Sequence, residues 1–119
     1  MSPNFAMALL MLLNAARADV QAPPFREDPV LSARAQERAE RLCASRSFSH
    51  DGYQAAFRGS PYRSMGENLA MGHHDPRAVH AQLMSSSGHR ANILKPQFDA
   101  VGIGHADGCS ITVELFGGR

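Results

Sequence analysis

Two Asp-Pro pairs constrain the fold of this chain most strongly, because each marks the first turn of a helix. In Asp28-Pro29 and Asp75-Pro76, a carboxylate can accept hydrogen bonds from free backbone N–H groups, and a proline is tolerated at the first helical position. Apolar residues recur at helical spacing after both pairs: Leu31, Ala35, Ala39, Leu42 and Cys43 after the first, and Val79, Leu83 and Met84 after the second. The pairs therefore predict two amphipathic helices that each bury one face.

An apolar run near the amino terminus predicts a further helix, which begins at Ser2-Pro3. Its apolar residues recur at helical spacing at Phe5, Leu9, Leu12, Leu13 and Ala16. The run also resembles the core of a signal peptide, and residues 16–18 imitate a cleavage site. No basic residue precedes it, and Asn14 and Arg17 interrupt its end, so we interpret it as a native helix. Deep burial of its apolar surface is favoured over contact with a partner, and the run is too short to span a membrane.

Three strands are predicted in the second half of the chain. Residues 65–71 form one extended segment, and residues 100–105 and 110–116 form an antiparallel hairpin. Residues 47–63 are predicted to be a loop with one helical turn, and a second short turn follows at 90–94. Helices that flank a small, mainly antiparallel sheet place the chain in the α+β class. Its 119 residues suit one domain spanning residues 1–119.

The distribution of charge argues against a nucleic-acid-binding function. The formal net charge is +1, and the arginines are spread along the chain rather than clustered. The densest charged run lies on the helix that follows Asp28. We interpret this run as a solvated helix face, made by Arg34, Glu37, Arg38, Glu40 and Arg41.

The two cysteines, Cys43 and Cys109, leave two interpretations open. They are too far apart for a CxxC redox motif or a zinc knuckle. They are either unrelated buried thiols or one disulfide that ties a helix to a late strand. Such a disulfide would stabilise the domain by roughly 4 kcal/mol in the chain-entropy description and would imply an oxidising compartment.

Histidines and carboxylates are the candidates for chemistry, because the chain contains no GxSxG, HExxH or phosphate-binding GKS/GKT motif. His50 and Glu67 lie in or beside glycine-punctuated segments, and His89 begins the short turn after the third helix. Two imidazoles and a carboxylate suit a zinc ion with an open coordination position, or an acid–base pair. From spacing alone, they could equally be unconnected surface or helix-capping residues.

The other histidines are assigned structural roles. We expect His73, His74 and His105 to be exposed residues of loops or strand ends. His80 lies one step from the apolar face of the third helix, so we expect it to be partly buried and hydrogen-bonded.

Several segments, taken together and in order, resemble the CAP superfamily, the cysteine-rich secretory and pathogenesis-related fold. The resemblance is greatest to its compact bacterial branch, the SCP-like extracellular proteins. It covers nearly the whole chain, from Asn14 and Arg17 of the first helix through 28–31 of the second. The segments that carry it further are Phe48-Ser49-His50, Gly66-Glu67-Asn68-Leu69-Ala70, Ser87-Gly88-His89-Arg90-Ala91-Asn92-Ile93-Leu94 and Val101-Gly102-Ile103-Gly104.

The resemblance implies a three-layer α-β-α sandwich with a cleft lined by His50, Glu67 and His89. It makes His50 and His89 the expected ligands of zinc or another divalent cation, as in some family members. Because family members are typically exported, it also favours a Cys43–Cys109 disulfide. The same argument implies an extracellular or periplasmic location, with an export signal removed ahead of this chain.

Two departures from the family pattern bear on function. Many animal and plant members carry a second cleft glutamate on the helix before the second histidine, but residues 80–87 contain no carboxylate. The usual tryptophan of that helix is replaced by Leu83. The missing carboxylate weakens a general-base mechanism, whereas the missing tryptophan affects packing.

Three functions follow as hypotheses. The first is an exported binding domain for a divalent metal, a small ligand or a cell-envelope component. The second is a metal-assisted hydrolase of peptide or cell-wall material, with Glu67 as acid or base. The third is a protein-interaction scaffold. The missing carboxylate and the lack of a nucleophile favour binding over catalysis.

Overall fold

Helices enclose a four-stranded sheet in the computed structural model, which describes residues 3–119. The predicted cap at Ser2 lies outside these residues. The elements in chain order are α1 (Pro3–Asp19), β1 (Arg26–Glu27), α2 (Pro29–Ser45), the 3₁₀ helix η1 (Tyr53–Phe57), β2 (Ser64–Met71), α3 (Pro76–Met84), α4 (Ser87–Leu94), β3 (Ala100–Ala106) and β4 (Ile111–Gly118).

Both Asp-Pro pairs begin helices, as predicted. The Asp28 carboxylate accepts hydrogen bonds from the backbone N–H groups of Val30 at 2.8 Å and Leu31 at 3.2 Å. Asp75 accepts one from the N–H of Arg77 at 3.1 Å. Each cap satisfies donors that the first helical turn leaves free, so the helix starts are set by local chemistry.

The sheet has the strand order β1-β3-β4-β2 and is mainly antiparallel. The predicted hairpin of β3 and β4 is confirmed, and β4 continues into an antiparallel pairing with β2. The register places Glu67 opposite Leu115 and Asn68 opposite Glu114. Because successive strand residues point to opposite faces, Glu67 and Asn68 face different helical layers.

The two faces of the sheet carry different helices, which gives the α-β-α sandwich. One face packs against α1, α3 and α4 in a cluster that includes Leu9, Val79 and Ile93. The other face packs against α2, and there Gly102 and Gly104 lie directly on the backbone of the helix. A Cβ at either glycine would overlap that backbone, so the α2–β3 packing requires glycine at both positions.

A disulfide joins Cys43 near the end of α2 to Cys109 in the turn between β3 and β4, with the Cα atoms 5.6 Å apart. The pairing implied by the family resemblance is therefore confirmed. The bond fixes the carboxyl-terminal end of α2 to the hairpin.

Burial corrects three expectations. Arg38, assigned to a solvated face, is only 5 % exposed, and His105, expected at the surface, is 1 % exposed. The ring of His105 stacks on Phe5 with centroids 4.2 Å apart, because α1 covers this end of β3. The expected deep burial of α1 is incomplete, since Met7 and Met11 point into solvent.

His73 and His74 are exposed, as predicted. In the part of the chain that the structure describes, no helix is long and apolar enough to cross a membrane.

Candidate functional site

A buried ion pair between α2 and β2 forms the base of the candidate site. Glu67 lies in the middle of β2, and its side chain is fully buried. Arg38 donates from Nε to Glu67 Oε2 and from Nη2 to Oε1, the latter at 3.1 Å. This two-point contact fixes the carboxylate plane and explains how a charged residue is accommodated beneath α2.

His50 contacts the same carboxylate from the loop after α2. Its Nδ1 lies 2.9 Å from Glu67 Oε1, while 57 % of the side chain remains exposed. Arg38 also donates to the backbone carbonyls of Ser49 at 2.9 Å and Asp51 at 3.4 Å, on either side of His50. Arg38 therefore holds both the carboxylate and the loop that presents the histidine.

His89 lies on α4, and its environment favours the neutral form of the ring. Burial and, to a smaller extent, the charge of His50 lower the pKa of the His89 imidazole. Its buried Nδ1 has no hydrogen-bond partner among residues 3–119. A neutral ring with an unused nitrogen can act as a metal ligand or as a hydrogen-bonding group.

Asparagines link β2 to α4 on the other face of the sheet. Asn68 Nδ2 donates to the backbone carbonyl of His89 at 3.1 Å, and Asn92 Nδ2 donates to Asn68 Oδ1 at 2.9 Å. Asn92 also donates to the backbone carbonyl of Glu67 at 3.4 Å. These bonds set the position of α4, and hence of His89, relative to the strand that carries Glu67.

Glu114 completes this network and was not identified from the sequence. Its Oε1 accepts from Asn68 Nδ2 at 3.2 Å, and its Oε2 has no partner within the described chain. Burial raises the pKa of Glu114 to about 8. The carboxyl group is therefore protonated at neutral pH, which removes the cost of a buried charge.

Arg17 anchors the far end of α4. Its guanidinium donates to the backbone carbonyls of Ile93 at 2.9 Å, Lys95 at 2.9 Å and Phe98 at 2.8 Å. The sequence marked Arg17 only as an interruption of the apolar run and as part of the family resemblance. The structure shows that it satisfies carbonyl groups that the end of a helix leaves free.

Of the three predicted site residues, two are in direct contact and the third is nearby. His50 and Glu67 are in direct contact, and His89 is near enough for the charge of His50 to affect its pKa. Among the residues described, no cluster of three or more His, Cys, Asp or Glu side chains could hold a metal ion. His80 is half-buried as expected, but its Nδ1 lacks the predicted hydrogen bond within residues 3–119.

Comparison with known proteins agrees with this fold. The family model described as "CAP: Cysteine-rich secretory protein family" matches residues 10–116. YkwD, an uncharacterized protein of Bacillus subtilis strain 168, is 33% identical over 118 residues, covering 91% of this chain. The chain spans 45% of the length of that relative.

Solved structures match the fold as well. An extracellular protein containing a SCP domain from Bacillus anthracis superposes with a TM-score of 0.89 at 24% identity, covering 95% of this chain and 40% of that one. An outer surface protein of Borrelia burgdorferi superposes with a TM-score of 0.90 at 21% identity, covering 100% and 96% of the two chains.

The elements and their order thus define an α-β-α sandwich of the SCP type. With a family model matched over most of its length, the chain belongs to the CAP superfamily.

Proposed function

We propose that this chain is an exported CAP domain in which His50 and His89 bind a divalent cation, such as zinc, or a small ligand. The observation that carries the proposal is the contact of His50 Nδ1 with Glu67 Oε1. A ring held through Nδ1 is left with Nε2 for a ligand, and the side chain is more than half exposed. His89 offers a further ring nitrogen, Nδ1, which has no hydrogen-bond partner among the described residues.

The histidine nitrogens fit the role of metal ligands, and Glu67 fits the role of a residue that supports them. A carboxylate that accepts from one imidazole nitrogen orients the ring and raises its basicity toward a metal at the other nitrogen. Glu67 has this supporting position, since Arg38 and His50 already engage both of its oxygens. The protein supplies two nitrogen ligands, so water or a bound molecule would complete the coordination of zinc.

A bound zinc ion would act as a Lewis acid toward an oxygen ligand. Binding without hydrolysis is nevertheless the role that this chain supports better. The Glu67 side chain is fully buried and is held by Arg38 and His50, so its carboxylate is not exposed to take a proton from water. Residues 80–87 supply no second carboxylate that could replace it as general base.

Export is supported by two further observations. The structural neighbours include an extracellular protein and an outer surface protein. The Cys43–Cys109 disulfide is typical of oxidising compartments. The expected partner is therefore a small ligand or a component of the cell envelope.

Calorimetric titration of the chain with zinc at pH 7.5 tests the metal site. We expect one site per chain, lost or weakened at least about tenfold in His50→Ala and in His89→Ala. His73→Ala is the matched control, because His73 is an exposed histidine outside the site. The proposal fails if zinc does not bind, or if the control weakens binding as much as the site variants do.

A further inference from the structure

A concave surface lies beside the candidate site, between α2 and η1. It is a cavity of about 300 Å³ in which four of the eight lining residues are arginines. We call it the arginine pocket. It is lined by Arg34, Glu37, Arg38 and Arg41 from α2 and by Gly52, Ala55, Ala56 and Arg58 from the segment around η1.

The arginine pocket carries unbalanced positive charge. Arg38 is neutralised by Glu67. Arg34 donates to the backbone carbonyl of Ala56 at 3.3 Å and has no anionic partner in the described part of the chain. Arg41 and Arg58 are exposed, and their guanidinium groups form no hydrogen bond or ion pair within residues 3–119. Three uncompensated guanidinium groups therefore face the single carboxylate of Glu37.

The shape of the arginine pocket leaves room for a ligand between these groups. Gly52, Ala55 and Ala56 present small or no side chains along the η1 side, opposite the long side chains of α2. A volume of this size is at the lower end of the range found for small-molecule sites. The space suits one anionic group together with a small organic substituent.

We propose that the arginine pocket binds the phosphoryl group of a small phosphate ester. A guanidinium presents parallel N–H donors that match two phosphate oxygens, and a phosphate dianion balances the excess of two positive charges. A monocarboxylate would leave half of that excess uncompensated. The inference goes beyond the histidine site, since nothing in the arginine pocket requires a metal.

Arg38 connects the two sites. The same guanidinium that lines the arginine pocket also holds Glu67 and the carbonyl groups on either side of His50. A phosphate ester anchored at Arg41 and Arg58 would therefore lie next to the loop that presents His50. Its organic part would be directed either along the α2–η1 groove or toward that loop.

Titration of the metal-free chain with inorganic phosphate, followed by backbone amide NMR, tests the proposal. We expect the shifts to concentrate in residues 34–41 and 52–58. Arg41→Gln and Arg58→Gln should each weaken binding about tenfold, because each removes a charge-assisted hydrogen bond. Both side chains are exposed, so the fold should persist. Arg77→Gln on α3, also exposed, is the matched control and should bind as the parent does.

Two further measurements sharpen the result. Glu37→Gln should strengthen phosphate binding roughly fivefold, because it removes the one anion in the arginine pocket. Glycerol phosphate and phosphatidylglycerol vesicles distinguish a soluble ester from a lipid headgroup, and Arg41-dependent binding of either supports the phosphoryl assignment. The phosphoryl assignment is overturned if succinate binds as tightly as phosphate. It is also overturned if Arg41→Gln and Arg77→Gln bind phosphate equally well.

Failure of the phosphate-binding proposal can be distinguished from failure of the zinc-binding proposal. His50→Ala and His89→Ala should retain phosphate affinity within about twofold, whereas Arg41→Gln should retain zinc affinity. Loss of phosphate binding in the histidine variants would show that no separate anion site exists.

Discussion

Arg38 on α2 and Glu67 on β2 form a two-point ion pair in the interior, and His50 shares one oxygen of the same carboxylate. The pair lies at the contact between α2 and β2, an edge strand of the sheet. Its position makes Arg38 responsible both for satisfying a buried charge and for holding the loop that carries His50.

Breaking this pair from one side should destabilise the domain by about 3–5 kcal/mol, because the remaining charge stays buried without its partner. Arg38→Met and Glu67→Leu, each measured by urea unfolding, should show this loss, while the double variant should recover much of it. Arg41→Gln, on the exposed side of the same helix, is the control and should change stability by less than about 0.5 kcal/mol. Single variants as stable as the control would contradict a buried pair.

Glu67→Gln should weaken zinc binding by about 10- to 100-fold while leaving both histidines in place. The amide can no longer supply the charged oxygen that contacts His50 Nδ1 and orients the ring. Calorimetric titration measures the effect, and far-UV circular dichroism checks that the variant is folded. Unchanged zinc affinity in a folded Glu67→Gln chain would remove Glu67 from the site.

Glu114 should make stability depend on pH. Its folded-state pKa of about 8 lies above the ordinary glutamate value of 4.5. As the pH rises between these values, the unfolded chain releases a proton that the folded chain keeps, so wild-type stability falls. Glu114→Gln has no such proton. Its stability relative to wild type should therefore rise by up to about 1.4 kcal/mol per pH unit between pH 5 and 7.

Urea unfolding at several pH values measures this slope. Glu37→Gln, at an exposed glutamate, is the control, and its stability difference from wild type should stay flat. A flat difference for Glu114→Gln as well would show that the buried carboxyl does not keep its proton.

Arg17 should be essential for the stability of the carboxyl-terminal end of α4. Arg17→Leu leaves the carbonyls of Ile93, Lys95 and Phe98 without their donor, and we expect a loss of about 2–4 kcal/mol. Hydrogen exchange should accelerate first in residues 89–98. The exposed Arg77→Gln variant should exchange as wild type does, and equal protection in Arg17→Leu would contradict the anchoring role.

Local features of the fold could be predicted, because their causes lie within a few residues. Asp28 and Asp75 satisfy backbone donors two and three residues ahead of them, so their helices begin where the sequence indicates. The two predicted strand segments and the turn between them likewise form a hairpin, β3 and β4. Strand β1 was missed, since its two residues are ordered by pairing with Ala100 and Val101 rather than by their own sequence.

The buried polar residues could not be predicted, because their partners are distant in the chain. Arg38 lies between apolar Ala35 and Ala39 on the helix, and only the carboxylate of Glu67 explains its burial. Polar residues alternate at Thr112 and Glu114 as they would on a solvent-facing strand. Helices α1, α3 and α4 cover that face instead, and no local pattern indicates this cover.

Nitrogen NMR of the histidine rings during zinc addition tests the central claim most directly. We predict that His50 is protonated at Nδ1 before zinc is added, and that zinc shifts His50 Nε2 and a ring nitrogen of His89 together at one equivalent. His73 and His74 should remain unchanged. Shifts confined to His73 and His74, or no shift at His50 and His89, would contradict the proposed site.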